Sequence, residues 1–199
     1  MNIEIKKLSA ELIDDYLHFF DTTPHSERPD SDECKCYCVW WCGDDQTDKV
    51  YENYLSTKEK RREYARNSIV AGKLQGHLAY CENEVVGWCN ANTKSECYQC
   101  FCWKKYMGDV HKEVFSKKIK SIFCFAVSPK VRGMGVATKL LEQICKDAKL
   151  ENFESVEAYP NSDFQNQAED FMGPLGMYKK LGFVVTYEID QKKVMVKKL

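Results

Sequence analysis

Long apolar runs, a dominant charge sign and internal repeats are all missing from this chain of 199 residues. No apolar stretch approaches the roughly 18 residues that a membrane-spanning helix needs. With 29 Lys and Arg against 30 Asp and Glu, the formal net charge is −1, so no overall field attracts nucleic acid or an anionic membrane. The first residues also lack the hydrophobic segment of a signal peptide. The sequence therefore predicts a cytoplasmic protein without nucleic acid or membrane partners.

Cysteine, by contrast, is abundant, and its 11 copies cannot all pair with one another. In a reducing compartment we expect free thiols that pack as small apolar side chains. Most of them form two clusters, Cys34, Cys36, Cys38, Cys42 and Cys97, Cys100, Cys102. Two of the spacings would suit zinc. The alternation from Cys34 to Cys38, however, favours an extended segment with packed thiols, so we expect no metal and keep a structural metal as the alternative.

The most informative stretch of the sequence is residues 121–148. Ile122 to Val127 form an unbroken apolar run that ends at Ser128-Pro129, which predicts a strand buried on both faces. From Ala137 to Ala148 apolar residues recur at helical spacing, which predicts an amphipathic helix. Between strand and helix lie Arg132-Gly133-Met134-Gly135-Val136-Ala137. Glycines at a helix start let unpaired N–H groups approach an anion, and an arginine adds charge, so the expected ligand is a diphosphate.

Two better-known phosphate-binding patterns fit this stretch poorly. A P-loop ends in Gly-Lys-Ser/Thr, whereas this chain has Ala137-Thr138-Lys139. A dinucleotide fingerprint needs Gly or Ala where Thr138 stands, and it needs its turn directly after the strand. Glu157 could imitate the ribose-binding acid of that fingerprint, so the dinucleotide alternative is disfavoured but stays open.

A third pattern, Arg/Gln-x-x-Gly-x-Gly/Ala, fits residues 132–137. After one more strand and helix the chain adds Tyr178-Lys179-Lys180-Leu181-Gly182-Phe183. Together these features resemble the GNAT superfamily of acyl-CoA-dependent N-acyltransferases. The Cys-x-Cys segment with its aromatic neighbours and Gly87-Trp88-Cys89 are similar to one uncharacterised bacterial branch of that superfamily.

The predicted order of elements, β-α-α-β-β-β-α-β-α-β-β, also indicates a mixed α/β sheet and resembles the GNAT order. It includes a first helix capped by Ser9, a charged helix from Lys58 to Gly72 with a solvated face, and a hairpin over residues 78–89. We expect one α/β domain over residues 1–199, with a central mixed sheet flanked by helices and a cofactor core over about 76–199.

The resemblance implies transfer of an acetyl group from acetyl-CoA to a primary amine of a small molecule or peptide, by direct attack in a ternary complex. It implies that Phe125 and Val127 pair with the pantetheine amides and that residues 132–138 bind the pyrophosphate. The implied cofactor-binding residues are Phe125, Ala126, Val127, Arg132, Gly133, Met134, Gly135, Val136, Ala137 and Thr138.

The resemblance also implies a catalytic acid, and the strand that follows the amphipathic helix offers a base. Tyr178 matches the tyrosine that protonates the leaving thiolate, and reference pKa values of about 10 and about 8.5 allow this transfer; the alternative is packing against the sheet. Glu157 is the candidate base, acting through water, and its alternative is a structural hydrogen bond. Many members carry Asn and Ala where this chain has Phe171 and Pro174, so that asparagine's cofactor contact is not transferred here.

For the amine, the family fold implies a pocket lined by the N-terminal helices, by the cysteine-rich segments and by Trp40, Trp41 and Trp88. The protein is expected to be a monomer or homodimer. The alternatives are a cysteine-rich metal or redox module and a CoA-binding regulator without turnover, each on the same scaffold.

Overall fold

Seven strands form one mixed sheet at the centre of an α/β fold. The computed structural model describes residues 2–23, 32–42, 55–112, 118–163 and 170–199. The strand order across the sheet is β1-β2-β3-β4-β5-β7-β6. The strands are β1 Glu4–Lys7, β2 Gly76–Cys81, β3 Glu84–Thr93, β4 Ile119–Val127, β5 Ser155–Ala158, β6 Val184–Ile189 and β7 Lys192–Lys198.

Helices cover both faces of the sheet, and four of the five α-helices in the described residues follow the predicted order, which had no helix between β3 and β4. They are α1 Ile13–Thr22, α2 Lys58–Val70, α3 Phe101–Tyr106, α4 Val136–Leu150 and α5 Leu175–Lys180, with short 3₁₀ turns that include Ala10–Leu12, Asp32–Cys34 and Val39–Trp41. In the described ranges, no helix has the length and apolar character needed to cross a membrane.

The sheet opens between its two central parallel strands. β4 and β5 pair only from Ile119–Ser155 to Ile122–Ala158. Beyond that point β4 continues to Val127 beside β3, and no strand of the described residues pairs with its other side, where Phe125 N–H donates to Phe171 O. This leaves a gap in the sheet beside residues 123–127, which we call the slot.

A separate apolar core lies on each face. On one face α4 packs its Leu140, Leu141 and Ile144 against the sheet. On the other face, which we call the aromatic face, α1, α2 and both cysteine clusters pack around Trp88, Trp103 and Phe123. Because side chains alternate along a strand, successive residues of β4 serve different cores: Phe125 and Val127 contact the α4 core, whereas Cys124 and Ala126 contact the aromatic one.

Two local predictions are wrong. The first cysteine cluster is not extended, because Tyr37 and Cys38 both adopt left-handed backbone conformations, with φ of 45° and 53°. Charged helix α2 is not solvated throughout: Arg61 is only 5% exposed. Its guanidinium donates to the carbonyls of Lys35, Leu55 and Asp32 at 2.7, 2.9 and 2.6 Å.

Helix capping gave a mixed result. Ser9 makes no side-chain capping bond. Thr57 does cap α2, since its hydroxyl accepts a hydrogen bond from the N–H of Lys60 at 3.3 Å. The sequence also shows helical spacing at Val50, Tyr51, Tyr54 and Leu55, and of these the structure describes Leu55 alone.

Candidate active site

A pocket of about 470 Å³ lies where β4 meets the start of α4. Its walls come from the end of β4, the 132–138 turn and the segment before α5. The lining residues are Phe125, Val127, Val131, Arg132, Gly133, Gly135, Val136, Ala137, Thr138, Asp170, Phe171, Gly173, Pro174 and Met177.

The turn before α4 is built to bring backbone N–H groups to this pocket. Gly133 and Gly135 have φ of +75° and +81°, a region that other residues rarely adopt. The first helical hydrogen bond of α4 runs from Lys139 N–H to Gly135 O at 3.0 Å. The N–H groups of residues 136–138 precede it, so they have no acceptor within the helix. These groups and the positive end of the helix dipole favour an anion.

Arg132 connects this turn to the strand. Its Nε donates to the carbonyl of Val127 at 3.1 Å, and its side chain lines the pocket. The remaining guanidinium N–H groups can bind phosphate oxygens, and the guanidinium carries its charge at any physiological pH. The residues present therefore fit a diphosphate.

Of the ten residues that the sequence linked to the cofactor, eight line the pocket. The exceptions are Ala126, whose side chain packs in the aromatic core, and Met134, which is 55% exposed. Strand alternation explains the first. Met134 lies between the two left-handed glycines and contributes backbone to the turn.

The sequence did not predict the wall formed by Asp170, Phe171 and Gly173. Phe171 O accepts a hydrogen bond from Phe125 N–H at 2.7 Å. This is one of the strand groups that the resemblance assigned to the pantetheine, so the segment before α5 already pairs with β4 at the slot. The signal in the sequence was weak, because only Gly173-Pro174 marks a turn there.

Tyr178 lies behind the pocket wall and does not line the pocket. It is fully buried, and its hydroxyl donates to Met172 O at 2.5 Å. Burial raises the pKa of Tyr178 well above its ordinary value. Its chain neighbour Met177 does reach the pocket.

Glu157 lies on the aromatic face, away from the glycine turn. Its Oε1 is 2.8 Å from Lys94 Nζ, and both side chains are almost completely buried. Next to it, Tyr159 shares a hydrogen bond of 2.8 Å with Ser121. Burial, followed by the charge of Glu157, raises the pKa of Tyr159. The structure therefore joins Glu157 to a buried polar group and does not bring it together with Tyr178.

The tryptophans expected around the amine are mostly enclosed. Trp88 is fully buried, and Trp41 stacks on Phe123 with ring centroids 4.6 Å apart. Trp40 is partly exposed and lies beside Phe101. The cysteines of both clusters are free thiols. Within the described ranges, no three His, Cys, Asp or Glu side chains are grouped so that they could hold a metal ion.

A mixed sheet that opens beside a glycine-lined helix start is the arrangement of an acyltransferase fold. The family comparison agrees: residues 7–183 match the acetyltransferase (GNAT) family, and the chain belongs to it. A comparison with curated proteins gives no match.

Solved structures with the same fold are distant in sequence. One is the PaiA N-acetyltransferase from Thermoplasma acidophilum in complex with coenzyme A, at 16% identity and a TM-score of 0.55, with 100% of each chain covered. Another is the Drosophila melanogaster polyamine N-acetyltransferase, at 13% identity and 0.55, again with 100% of each chain covered. A third is the ribosomal-protein-alanine N-acetyltransferase from Brucella melitensis, at 13% identity and 0.52, covering 98% of this chain and 99% of that one.

Proposed function

We propose that the protein transfers an acetyl group from acetyl-CoA to a primary amine of a small molecule or peptide. The observation that carries this proposal is the turn at residues 132–138, where two left-handed glycines, the free N–H groups of α4 and Arg132 surround one pocket. Family membership and the coenzyme A in the Thermoplasma structure support the choice of cofactor.

The reaction we propose is direct attack in a ternary complex. The amine nitrogen attacks the thioester carbonyl, a tetrahedral oxyanion forms, and the thiolate of CoA leaves. Holding both reactants in line can contribute about 7–11 kcal/mol to lowering the barrier, whereas a general acid or base contributes roughly 10²–10⁴-fold in rate. The pocket that positions the thioester is therefore the larger contribution.

We assign Tyr178 as the general acid. The phenol is the proton-carrying form, and its raised pKa makes transfer to the leaving thiolate less favourable than the reference values of about 10 and about 8.5 indicate. Donation to that thiolate requires the hydroxyl to exchange its bond to the Met172 carbonyl for one to the sulfur.

We assign Glu157 as the base, acting through water. Its carboxylate faces the aromatic side of the sheet, from which the amine would approach the slot. Glu157 must therefore accept the proton while its carboxylate is paired with Lys94. We further propose a cytoplasmic protein that is a monomer or homodimer and needs no metal.

Calorimetry with acetyl-CoA tests the pocket, using Gly135→Glu as the variant. A glutamate there adds negative charge beside the bound diphosphate, so we expect binding to be lost. The matched control is Gly72→Glu, because Gly72 has a similar φ of +69° and equally open surroundings. It therefore reproduces the backbone strain at the end of α2, away from the pocket. Equal affinities in both variants, or no binding by folded wild type, would refute the proposal.

Turnover is tested separately with a panel of amines, by following release of the CoA thiol. Tight cofactor binding without product from any amine would favour the regulator. Zinc or iron in stoichiometric amount, found by elemental analysis under reducing conditions, would favour the metal module.

A further inference from the structure

The pocket beside the glycine turn contains one buried carboxylate, that of Asp170. Among the described residues that line the pocket, only Arg132 and Asp170 carry charged side chains. Arg132 belongs to the turn that fits a diphosphate, whereas Asp170 belongs to the wall formed by the segment before α5. Asp170 is only 6% exposed. The pocket therefore has a positive group at one wall and a buried negative group at another.

Asp170 lies between the two sides of the slot. On one side, the carbonyl of its chain neighbour Phe171 accepts a hydrogen bond from Phe125 N–H of β4 at 2.7 Å. On the other side, the Asp170 carboxylate accepts a hydrogen bond from Asn161 Nδ2 at 2.6 Å. Asn161 forms a bridge with Lys192 at the start of β7. The carboxylate is thus held at the gap in the sheet, next to the part of β4 that lines the pocket.

A chain of polar contacts fixes the position of this carboxylate. Asn161 Oδ1 accepts a hydrogen bond from Lys192 Nζ at 3.1 Å, which orients the amide so that its Nδ2 faces Asp170. The Asp170 carbonyl accepts a hydrogen bond from Gly173 N–H at 2.8 Å, which holds the backbone. A group that is already fixed in position loses little freedom when it binds a ligand. The Asp170 carboxylate is therefore preorganised.

A preorganised carboxylate at a buried pocket wall favours a cation with N–H donors. A carboxylate has about four acceptor sites, so Asp170 can bind an ammonium group and keep its bond from Asn161. Hydrogen bonds between an ammonium and a carboxylate are charge-assisted, which makes them shorter and stronger than neutral ones. An aliphatic amine meets this requirement, because its pKa of about 10 leaves it protonated at neutral pH.

We propose that Asp170 selects the acceptor by binding the ammonium group of an aliphatic primary amine in the pocket. Asn161 is a positioning residue, because it acts on the amine only through the Asp170 carboxylate. This inference rests on the proposed function, and it narrows the acceptor from primary amines in general to those that carry a positive charge at neutral pH. The steps that follow binding are those of the proposed function.

Steady-state kinetics of Asp170→Asn test this role, with the aliphatic amine that the wild type acetylates fastest. The amide can still accept the bond from Asn161, but it has no charge, so we expect the KM for the amine to rise by about tenfold or more. The KM for acetyl-CoA should remain that of the wild type. The matched control is Asp163→Asn, since Asp163 is exposed and does not line the pocket. It should leave both KM values unchanged.

Calorimetry tests the same contact without turnover. The protein is saturated with CoA and titrated with the amine of the panel that binds most tightly, and then with the alcohol of the same carbon skeleton. The wild type should bind the amine about tenfold or more tightly than the neutral alcohol. Asp170→Asn should bind the two with similar affinity. No binding of any amine, or equal affinities for amine and alcohol in the wild type, would overturn the proposal.

A second variant, Asn161→Leu, keeps the proposal testable if circular dichroism shows that Asp170→Asn does not fold. Without the amide between them, Lys192 can pair with Asp170 directly and neutralise it. The KM for the amine should therefore rise while the KM for acetyl-CoA stays the same. A weaker affinity for acetyl-CoA with an unchanged KM for the amine, in either variant, would assign the carboxylate to the cofactor and overturn the proposal.

The two proposals fail differently. Amine turnover with the same KM in Asp170→Asn and in the wild type would overturn the role of Asp170 and leave the acetyltransferase intact. Absence of product from every amine would overturn the proposed function, whereas calorimetry of the CoA complex would still decide whether Asp170 binds an ammonium group.

Discussion

Tyr178 makes a buried hydrogen bond and has a proposed catalytic role, and Tyr178→Phe removes the group on which both depend. Removing its hydroxyl leaves the buried Met172 carbonyl unpaired, which should lower the free energy of unfolding by about 1–3 kcal/mol. Because Tyr178 is the proposed general acid, Tyr178→Phe should also lower kcat by roughly 10²–10⁴-fold while KM changes little. Urea denaturation and steady-state kinetics measure the two effects.

The control for Tyr178 is Tyr16→Phe. Tyr16 is another fully buried phenol, and it donates to a backbone carbonyl, that of Tyr37, at 2.6 Å. The stability loss should therefore be similar, but kcat should remain close to that of the wild type. Equal kcat values in the two variants would remove Tyr178 from catalysis.

At the scale of elements, Arg61 fixes α2 to the first cysteine cluster through three backbone carbonyls. Arg61→Leu leaves these carbonyls without their donor, so we expect a loss of about 3 kcal/mol or more in unfolding free energy. Arg66→Leu is the matched control on the same helix. Arg66 pairs with Asp14 near the surface, where such a pair contributes about 0–1 kcal/mol. Similar losses in both variants, measured by urea denaturation, would show that the buried contacts add nothing.

The elements that the sequence predicted well are those specified by local patterns. The strand, turn and helix around residues 122–148 combine an apolar run, two glycines and a helical repeat, and each signal is independent of the rest of the chain. The hairpin of β2 and β3 is similar, since Glu82 and Asn83 both take the positive φ that a two-residue turn requires.

The first cysteine cluster could not be predicted in this way, because distant contacts determine its shape. The left-handed turn at Tyr37 and Cys38 accompanies hydrogen bonds from Tyr16 to the Tyr37 carbonyl and from Tyr37 to Asp21. The sequence showed only alternating cysteines. The burial of Arg61 did leave a signal, since Arg61, Ala65 and Ile69 share one face of α2 at a spacing of four residues.

The same distinction holds for the candidate site. The glycine turn is contiguous in sequence, so its residues could be named. The wall at Phe171 joins β4 through a backbone hydrogen bond, which any side chain permits and which no residue pattern reveals.

For the whole molecule, cofactor binding should appear as added stability. A ligand that binds only the folded protein stabilises it by about 2.7 kcal/mol at a concentration of 100 times Kd. In a domain of this size that corresponds to a rise in Tm of about 5–10 °C. Differential scanning fluorimetry with acetyl-CoA measures the shift. Gly72→Glu should keep it and Gly135→Glu should lose it; an unchanged Tm in the wild type would contradict binding at the pocket.

The division of the domain by its sheet separates two kinds of evolutionary change. The α4 side carries the glycine turn, and the aromatic side carries the cysteine clusters, the tryptophans and the Lys94–Glu157 pair. Substitutions on the aromatic side can therefore accumulate without disturbing the glycine turn. In related proteins with this architecture, residues on the aromatic side can be substituted repeatedly while the glycine motif stays recognisable in the sequence.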